Sequence, residues 1–205
     1  MKLYWSPRSP FVRKVMVCAH ELGIADRLER IRALVSLSQT NADVLKVNPI
    51  GRIPALVLDN GDVLYDSHVI CEYLDAEYGD SRLFPREKPA RWDALRRLAL
   101  ADGMLETSIL WRAERMRPAA RQSSEMLGAF DRKIATALAA LERESARLDQ
   151  ARVDVGDLAI GCALGYLDFR FAELDWRGRH ERIAAWFESF NRRDSMQQTI
   201  PYDEQ

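Results

Sequence analysis

The feature that most restricts this chain is a strand-to-helix junction within its first twenty-three residues. Leu3-Tyr4-Trp5 has the composition of a short buried strand, and Ser6-Pro7-Arg8 that of a turn. Ser9 then stands where a helix N-cap belongs, and Pro10 takes the first helical position, where its missing N–H is not needed. Beyond them Phe11, Val12, Val15, Met16, Cys18, Ala19 and Leu22 recur at helical spacing and define an apolar face. Arg13, Lys14, His20 and Glu21 are expected on the other side, and Gly23 supplies the stop. A strand that runs into a helix start leaves unpaired N–H groups and a positive dipole end at the edge of a sheet. Such a place stabilises an anion.

The next stretch extends this unit. Residues 28–34 alternate as a second strand does, with Ile31 a buried position, and residues 42–47 form a short helix capped by Asn41 and closed by Asn48-Pro49-Ile50-Gly51. In Arg52-Ile53-Pro54-Ala55-Leu56-Val57-Leu58 a proline directly precedes an apolar strand, where it donates nothing to a ladder. A cis Ile53–Pro54 bond would turn the chain into the strand and leave the Ile53 backbone free. An ordinary trans proline opening the strand is the other reading. Asn60-Gly61 between two apolar runs predicts a hairpin that pairs residues 56–58 with 63–65. Val69, Ile70, Tyr73, Leu74 and Tyr78 trace a further amphipathic helix, capped by Asp66 or Ser67 and ended by Gly79. Strand, helix, strand, helix, hairpin and helix, with no glycine-rich phosphate loop, predict a thioredoxin-like α/β domain over residues 1–79.

Residues 80–89, with Pro85, Pro89 and several charges, are expected to be a linker. From 90 to 205 strand signals vanish, and an all-helical second domain is expected. Trp92, Leu95, Leu98, Ala99, Asp102, Leu105 and Ile109 mark a long helix that Arg117-Pro118 stops, and residues 122–148 give another. Asp154 as N-cap and Asp157 reaching back form a capping box for the apolar run 158–171, whose Ala, Gly and Leu content indicates burial on most sides. Ile183, Trp186, Phe187 and Phe190 define a last helix.

Composition excludes several classes. Thirty Lys and Arg against 31 Asp and Glu leave a net charge of −1, too little to gather nucleic acid. No apolar run is long enough to span a bilayer, and the N-terminus lacks an export signal, so no membrane association and a cytoplasmic location are expected. Cys18, Cys71 and Cys162 lie far apart in apolar helical surroundings, as reduced core cysteines do. His20, His68 and His180 do not cluster with them at ligand spacing, so no metal is expected.

Three segments, in order and properly spaced, resemble the glutathione transferase superfamily: Ser9-Pro10-Phe11-Val12-Arg13-Lys14, Asn48-Pro49-Ile50-Gly51-Arg52-Ile53-Pro54-Ala55-Leu56, and Asp66-Ser67. The first is similar to the opening of a bacterial, YibF-like subgroup. The likeness extends to residues 154–157, where members commonly carry a hydroxyl cap and an aspartate; here Asp154 replaces the hydroxyl. The resemblance implies a glutathione-binding thioredoxin-like domain and a helical domain that forms the pocket for a small hydrophobic or electrophilic second substrate. It also implies reduced glutathione as co-substrate, attack of its thiolate on an electrophile or peroxide, and a homodimer.

By that resemblance Ser9 is the residue expected to stabilise the thiolate, with Phe11 beside it, while position alone favours a purely structural cap. Ser6 and Tyr4 are the other hydroxyls nearby. The Ile53 backbone before Pro54 would pair with the cysteinyl unit of the tripeptide. Ser67 suits the γ-glutamyl carboxylate and Asp66 the ammonium, and Arg52 and Arg8 suit the glycyl carboxylate. Asp102 resembles an acidic position that reaches the ammonium from the other subunit. Arg112, Arg115, Arg117 and Arg121 either complement a helix C-terminus or form a site for anionic electrophiles, with Trp111 and Met116 close by. A thiol–disulfide oxidoreductase needs cysteines where Ser9 and Val12 stand. A glutathione-dependent reductase and a non-catalytic regulatory protein on the same fold are the remaining alternatives, the last having no use for Ile53-Pro54 and Asp66-Ser67.

Overall fold

The structure is a computed structural model that describes residues 1–148 and 152–203. Its first part contains β1 (Lys2–Trp5), α1 (Pro10–Glu21), β2 (Glu29–Arg32), α2 (Ala42–Val47), β3 (Ala55–Val57), β4 (Val63–Leu64) and α3 (Ser67–Tyr78). The sheet order is β2-β1-β3-β4, with β1 parallel to β2 and antiparallel to β3, and β3 antiparallel to β4. This is the thioredoxin-like arrangement expected, followed by helices alone. Leu3 and Leu56, cross-strand partners, are fully buried, as are Val15, Cys18, Ile70 and Leu74 from α1 and α3. The hairpin turn has Gly61 at φ +92°, a backbone region that a side chain disfavours.

The second part contains α4 (Lys88–Arg115), α5 (Ser124–Glu144), α6 (Val155–Arg170), α7 (Trp176–Arg179), α8 (Glu181–Phe190) and α9 (Asp194–Gln197). Every residue of α6 from Val155 to Leu167 is buried, so its composition has a packing reason. At its start Asp154 accepts hydrogen bonds from the N–H groups of Gly156 (2.8 Å) and Asp157 (3.2 Å), and Asp157 accepts from Asp154 N–H (3.0 Å). Arg97 of α4 donates to both carboxylates, reaching Asp154 at 2.5 Å, and so ties α4 to the start of α6.

Several boundaries differ from the sequence expectation. The second strand covers only Glu29–Arg32, and Ile31 is half-buried because β2 is an edge strand. The long helix begins at Lys88, with Pro89 in its first turn, where proline is tolerated. The connection before it is fastened by the buried Asp75, which accepts from the N–H groups of Leu83 (3.0 Å) and Phe84 (2.7 Å). The short helices α7 and α9 have too few residues to show a period.

The larger correction concerns α1. Arg13 and Lys14 do not face solvent: Arg13 is 6% exposed and Lys14 is not exposed at all. The reason is that α1 is covered twice, by the sheet and α3 on one side and by α4, α6 and α9 on the other. Arg13 reaches past Gly165 of α6, where a side chain would collide with its guanidinium, to Met196 O (3.3 Å) and Thr199 Oγ1 (3.5 Å). At the C-terminal end of α1, Glu21 accepts from Arg193 (2.7 and 2.8 Å) and Ser195 (2.5 Å).

Burial, reinforced by the neighbouring Asp154 charge and opposed by Arg97, pushes the Asp157 carboxyl up to about 6. A carboxyl that holds its proton more tightly when folded stabilises the fold in acid, and this contribution is lost as pH rises from about 4 through about 6. The stability of Asp157→Asn relative to wild type should therefore increase by up to about 3 kcal/mol between pH 4 and 7 in urea titrations, whereas a pH-independent difference would contradict the assignment.

Candidate active site

Strand register brings the candidate residues to one end of the sheet. Tyr4 lies opposite Ala55 where the β1–β3 ladder ends, so the turn after β1 and the segment before β3 leave the sheet at the same edge. Leu56 lies opposite Leu64 in β3–β4, so the chain that leads from β4 into α3 leaves the sheet at that edge as well. The turn before α1, the segment before β3 and the start of α3 thus share a single edge. Two helix N-termini, at Ser9 and at Asp66-Ser67, are aimed there, and their unpaired N–H groups give the edge a positive potential.

Ser9 is the N-cap of α1, its Oγ accepting from Val12 N–H at 3.3 Å. The bond uses a lone pair of the oxygen and leaves the hydroxyl proton available. Ser9 is half-exposed, whereas Ser6 is 6% exposed and its Oγ accepts from Arg8 N–H at 3.4 Å. Tyr4 is held in the middle of the sheet by its pairing with Ile31 and Ala55. Ser9 is therefore the hydroxyl of this turn with the most open surroundings. Phe11 is half-buried on the first turn of α1, its ring 5.6 Å from Lys14 Nζ.

The Ile53–Pro54 peptide is cis, and neither backbone polar group of Ile53 pairs with another described residue. The loop that delivers it is set by Asn48, 2% exposed, which donates to Arg52 O (2.8 Å) and accepts from Ile50 N–H (3.1 Å). Its sequence showed only turn composition there, and the buried amide came to light in the fold. Arg52 itself is exposed. Asp66 caps α3 by accepting from His68 N–H (2.9 Å) while remaining exposed, and Ser67 is 1% exposed at the first helical position.

Asp102 enters in a role that spacing did not show. Both of its oxygens accept from Lys14 Nζ, at 2.6 and 2.8 Å, which joins α4 to α1, and its side chain remains 24% exposed. The arginines after it are dispersed. Arg115 pairs with Glu173 and lies over the rings of Trp111 and Phe171, and Arg117 pairs with Glu114. Trp111 is core, stacked on Phe171 at 4.9 Å, and Met116 is exposed.

Residues 198–202, which sequence reasoning did not single out, pack against the Ser9 turn. Thr199, Ile200 and Tyr202 enclose with Trp5, Ser6 and Ser9 a cavity of about 70 Å³. That is room for about two waters, so a larger ligand must lie along the open edge and not inside. The chain's own thiols are no candidates for the chemistry. All three are buried; burial pushes Cys162 up to about 11, and the hydrogen bond to Cys71 raises Cys18 well above the usual range.

Comparison with known proteins identifies the family. The sequence families described as Glutathione S-transferase, N-terminal domain and C-terminal domain match residues 8–77 and 93–189. The chain is 34% identical over 206 aligned residues to the uncharacterized GST-like protein YibF of Escherichia coli K12, with 98% of each covered. A glutathione transferase family member from Pseudomonas fluorescens Pf-5, solved with bound glutathione, superposes with a TM-score of 0.95 at 43% identity, over 98% of this chain and 99% of the other. A structure from the same source with bound S-(propanoic acid)-glutathione gives 0.90 at 42% identity, over 99% and 100%. The chain belongs to the glutathione S-transferase family.

Removing Asp102 strands a buried ammonium, so Asp102→Ala should lower stability by about 3–5 kcal/mol. The double variant Lys14→Met/Asp102→Leu should recover most of that loss. Urea unfolding of the two proteins checks this, and equal losses in both would show that the pair contributes packing alone.

Proposed function

We propose that this protein binds reduced glutathione along the edge shared by α1, β3 and α3 and activates its thiolate for transfer to an electrophilic carbon or peroxide held by the helical domain. The observation that carries the reading is Ser9: a helix cap whose oxygen accepts from the backbone and whose proton is left to donate, at the mouth of a family-typical fold.

The magnitudes agree. A free thiol with a pKa near ~8.5 is mostly un-ionised at neutral pH, and lowering it by about two units takes roughly 3 kcal/mol of selective thiolate stabilisation. A hydroxyl donating to the charged sulfur supplies about 1.5–3 kcal/mol, and the α1 N-terminus roughly 0.3–2 more. One serine at a helix start suffices. The tripeptide's cysteinyl unit pairs with the Ile53 backbone, its γ-glutamyl carboxylate takes Ser67 and the N–H groups at the start of α3, and its ammonium takes Asp66. Its glycyl carboxylate meets Arg52, with Arg8 near. In a homodimer Asp102 is a second partner for the ammonium, weakened because Lys14 neutralises it. The relative that holds S-(propanoic acid)-glutathione supports a cleft that accepts a substituted sulfur. We place the reaction in the cytoplasm, where glutathione and buried free cysteines both stay reduced, in the removal of reactive electrophiles.

Two substitutions at Ser9 separate the cap from the chemistry. Ser9→Ala loses both functions: about 1 kcal/mol of stability, and about 10- to 100-fold in kcat/KM with a model electrophile. Ser9→Asp caps as well as serine but sets a negative charge against the sulfur, so it should melt as the wild type does and lose at least as much activity as Ser9→Ala. Full activity in Ser9→Asp would sink the assignment.

A further inference from the structure

The tail beyond α9 lines the small cavity beside Ser9 and is fastened by a second arginine. Arg170, the last residue of α6, donates from Nη1 to Asp203 Oδ2 and from Nη2 to Asp203 Oδ1, each at 2.7 Å, a parallel fork. The two partners are unlike in setting: the Arg170 side chain is 10% exposed and that of Asp203 is 55% exposed. Arg170 lies on the ring of Phe169 at 3.7 Å, and its Nε has no hydrogen-bond partner among the described residues. A half-buried, stacked guanidinium therefore presents its fork outward to an exposed carboxylate, one residue after Tyr202, which lines the cavity beside Ser9. Hydrogen bonds from Arg170 hold the Asp203 carboxyl below the usual range, and the charges of Arg170, Arg8 and Arg112 act in the same sense. Arg8 precedes the cap of α1, Arg112 belongs to the last turn of α4, and Arg170 closes α6, so charges from three separate elements act on this carboxylate, Arg170 alone through hydrogen bonds.

Among the described residues, three guanidiniums act on this one carboxylate, an excess of positive charge. Fastening a tail takes one arginine, as Arg13 shows further along the same segment. A rigid fork is moreover the group that recognises a carboxylate at both oxygens. We propose that the second substrate is an electrophile that itself carries a carboxylate a few bonds from the reacting carbon, and that this carboxylate replaces Asp203 on the Arg170 fork, with Arg112 and Arg8 alongside. Asp203 is then an internal occupant of the substrate's anion site, and the tail yields when a better-placed carboxylate arrives. The proposal rests on the glutathione reading above and narrows it from electrophiles in general to anionic ones.

Two conjugates of equal length test it, S-(2-carboxyethyl)glutathione and S-propylglutathione, titrated calorimetrically into the wild-type protein, Arg112→Gln and Asp203→Asn. The wild type should bind the carboxyethyl conjugate roughly tenfold more tightly than the propyl one, a ratio that shrinks with added salt. Arg112→Gln should lower the ratio by a factor of about three or more, and Asp203→Asn, which frees the fork, should raise it. Arg112→Gln leaves the hydrogen bonds between Arg170 and Asp203 in place, so its result does not depend on the tail being released. Equal affinities in the wild type, or a ratio that neither variant moves, overturn the anionic-substrate proposal and leave the glutathione reading standing. If neither conjugate binds, the glutathione reading fails and the proposal with it.

Discussion

The position of the Ser9 hydroxyl depends on α1 being gripped from both sides. One face of the helix lies on the sheet and α3, through Val15 and Cys18. The other carries Arg13, Lys14 and Glu21, each engaged with the helical domain through Met196 and Thr199, Asp102, or Arg193 and Ser195. A helix held by apolar packing alone can slide or tilt, since that attraction is non-directional. Three polar anchors along one helix remove this freedom. The cap at its N-terminus is then fixed in relation to the cleft between the two parts.

Two demands meet on the single oxygen of Ser9, and they are compatible because a hydroxyl both accepts and donates. The backbone takes a lone pair; the proton is left for an anion. Structural cap and the sulfur ligand proposed above, which position alone presents as rival readings, are compatible in one group. The same economy appears at α3, where Asp66 caps the helix and still remains exposed.

Charge inside the molecule falls into two kinds. Lys14–Asp102 and Arg97–Asp154–Asp157 are closed sets, in which buried cations meet carboxylates that belong to another helix and the fold is stapled by them. Arg170–Asp203 is open: its cation is half-buried and its carboxylate exposed, next in the chain to Tyr202 of the cavity beside Ser9. Burial of the guanidinium holds its geometry constant, whereas an exposed partner is exchangeable. That asymmetry distinguishes a recognition element from a staple.

Much of the architecture was legible from residues close together in the chain. The Ser9-Pro10 start, the Asn60-Gly61 turn, the Asn41 and Asp66 caps and the Asp154–Asp157 box all work through bonds spanning four residues or fewer, so composition and spacing determine them. The succession of strands and helices, and the family to which it belongs, follow from those local rules. Tertiary structure alone decided which polar residues are buried and whom they meet. Lys14 finds its partner 88 residues away, Arg170 finds Asp203 33 away, and Arg13 crosses 186 residues to Thr199. Helical period assigned Arg13 and Lys14 to solvent because it counts one apolar face, and α1 has packing on two. A periodic pattern records where a helix turns; only folding determines how many neighbours surround it, and hence which charges are held fast and which stay open to a ligand.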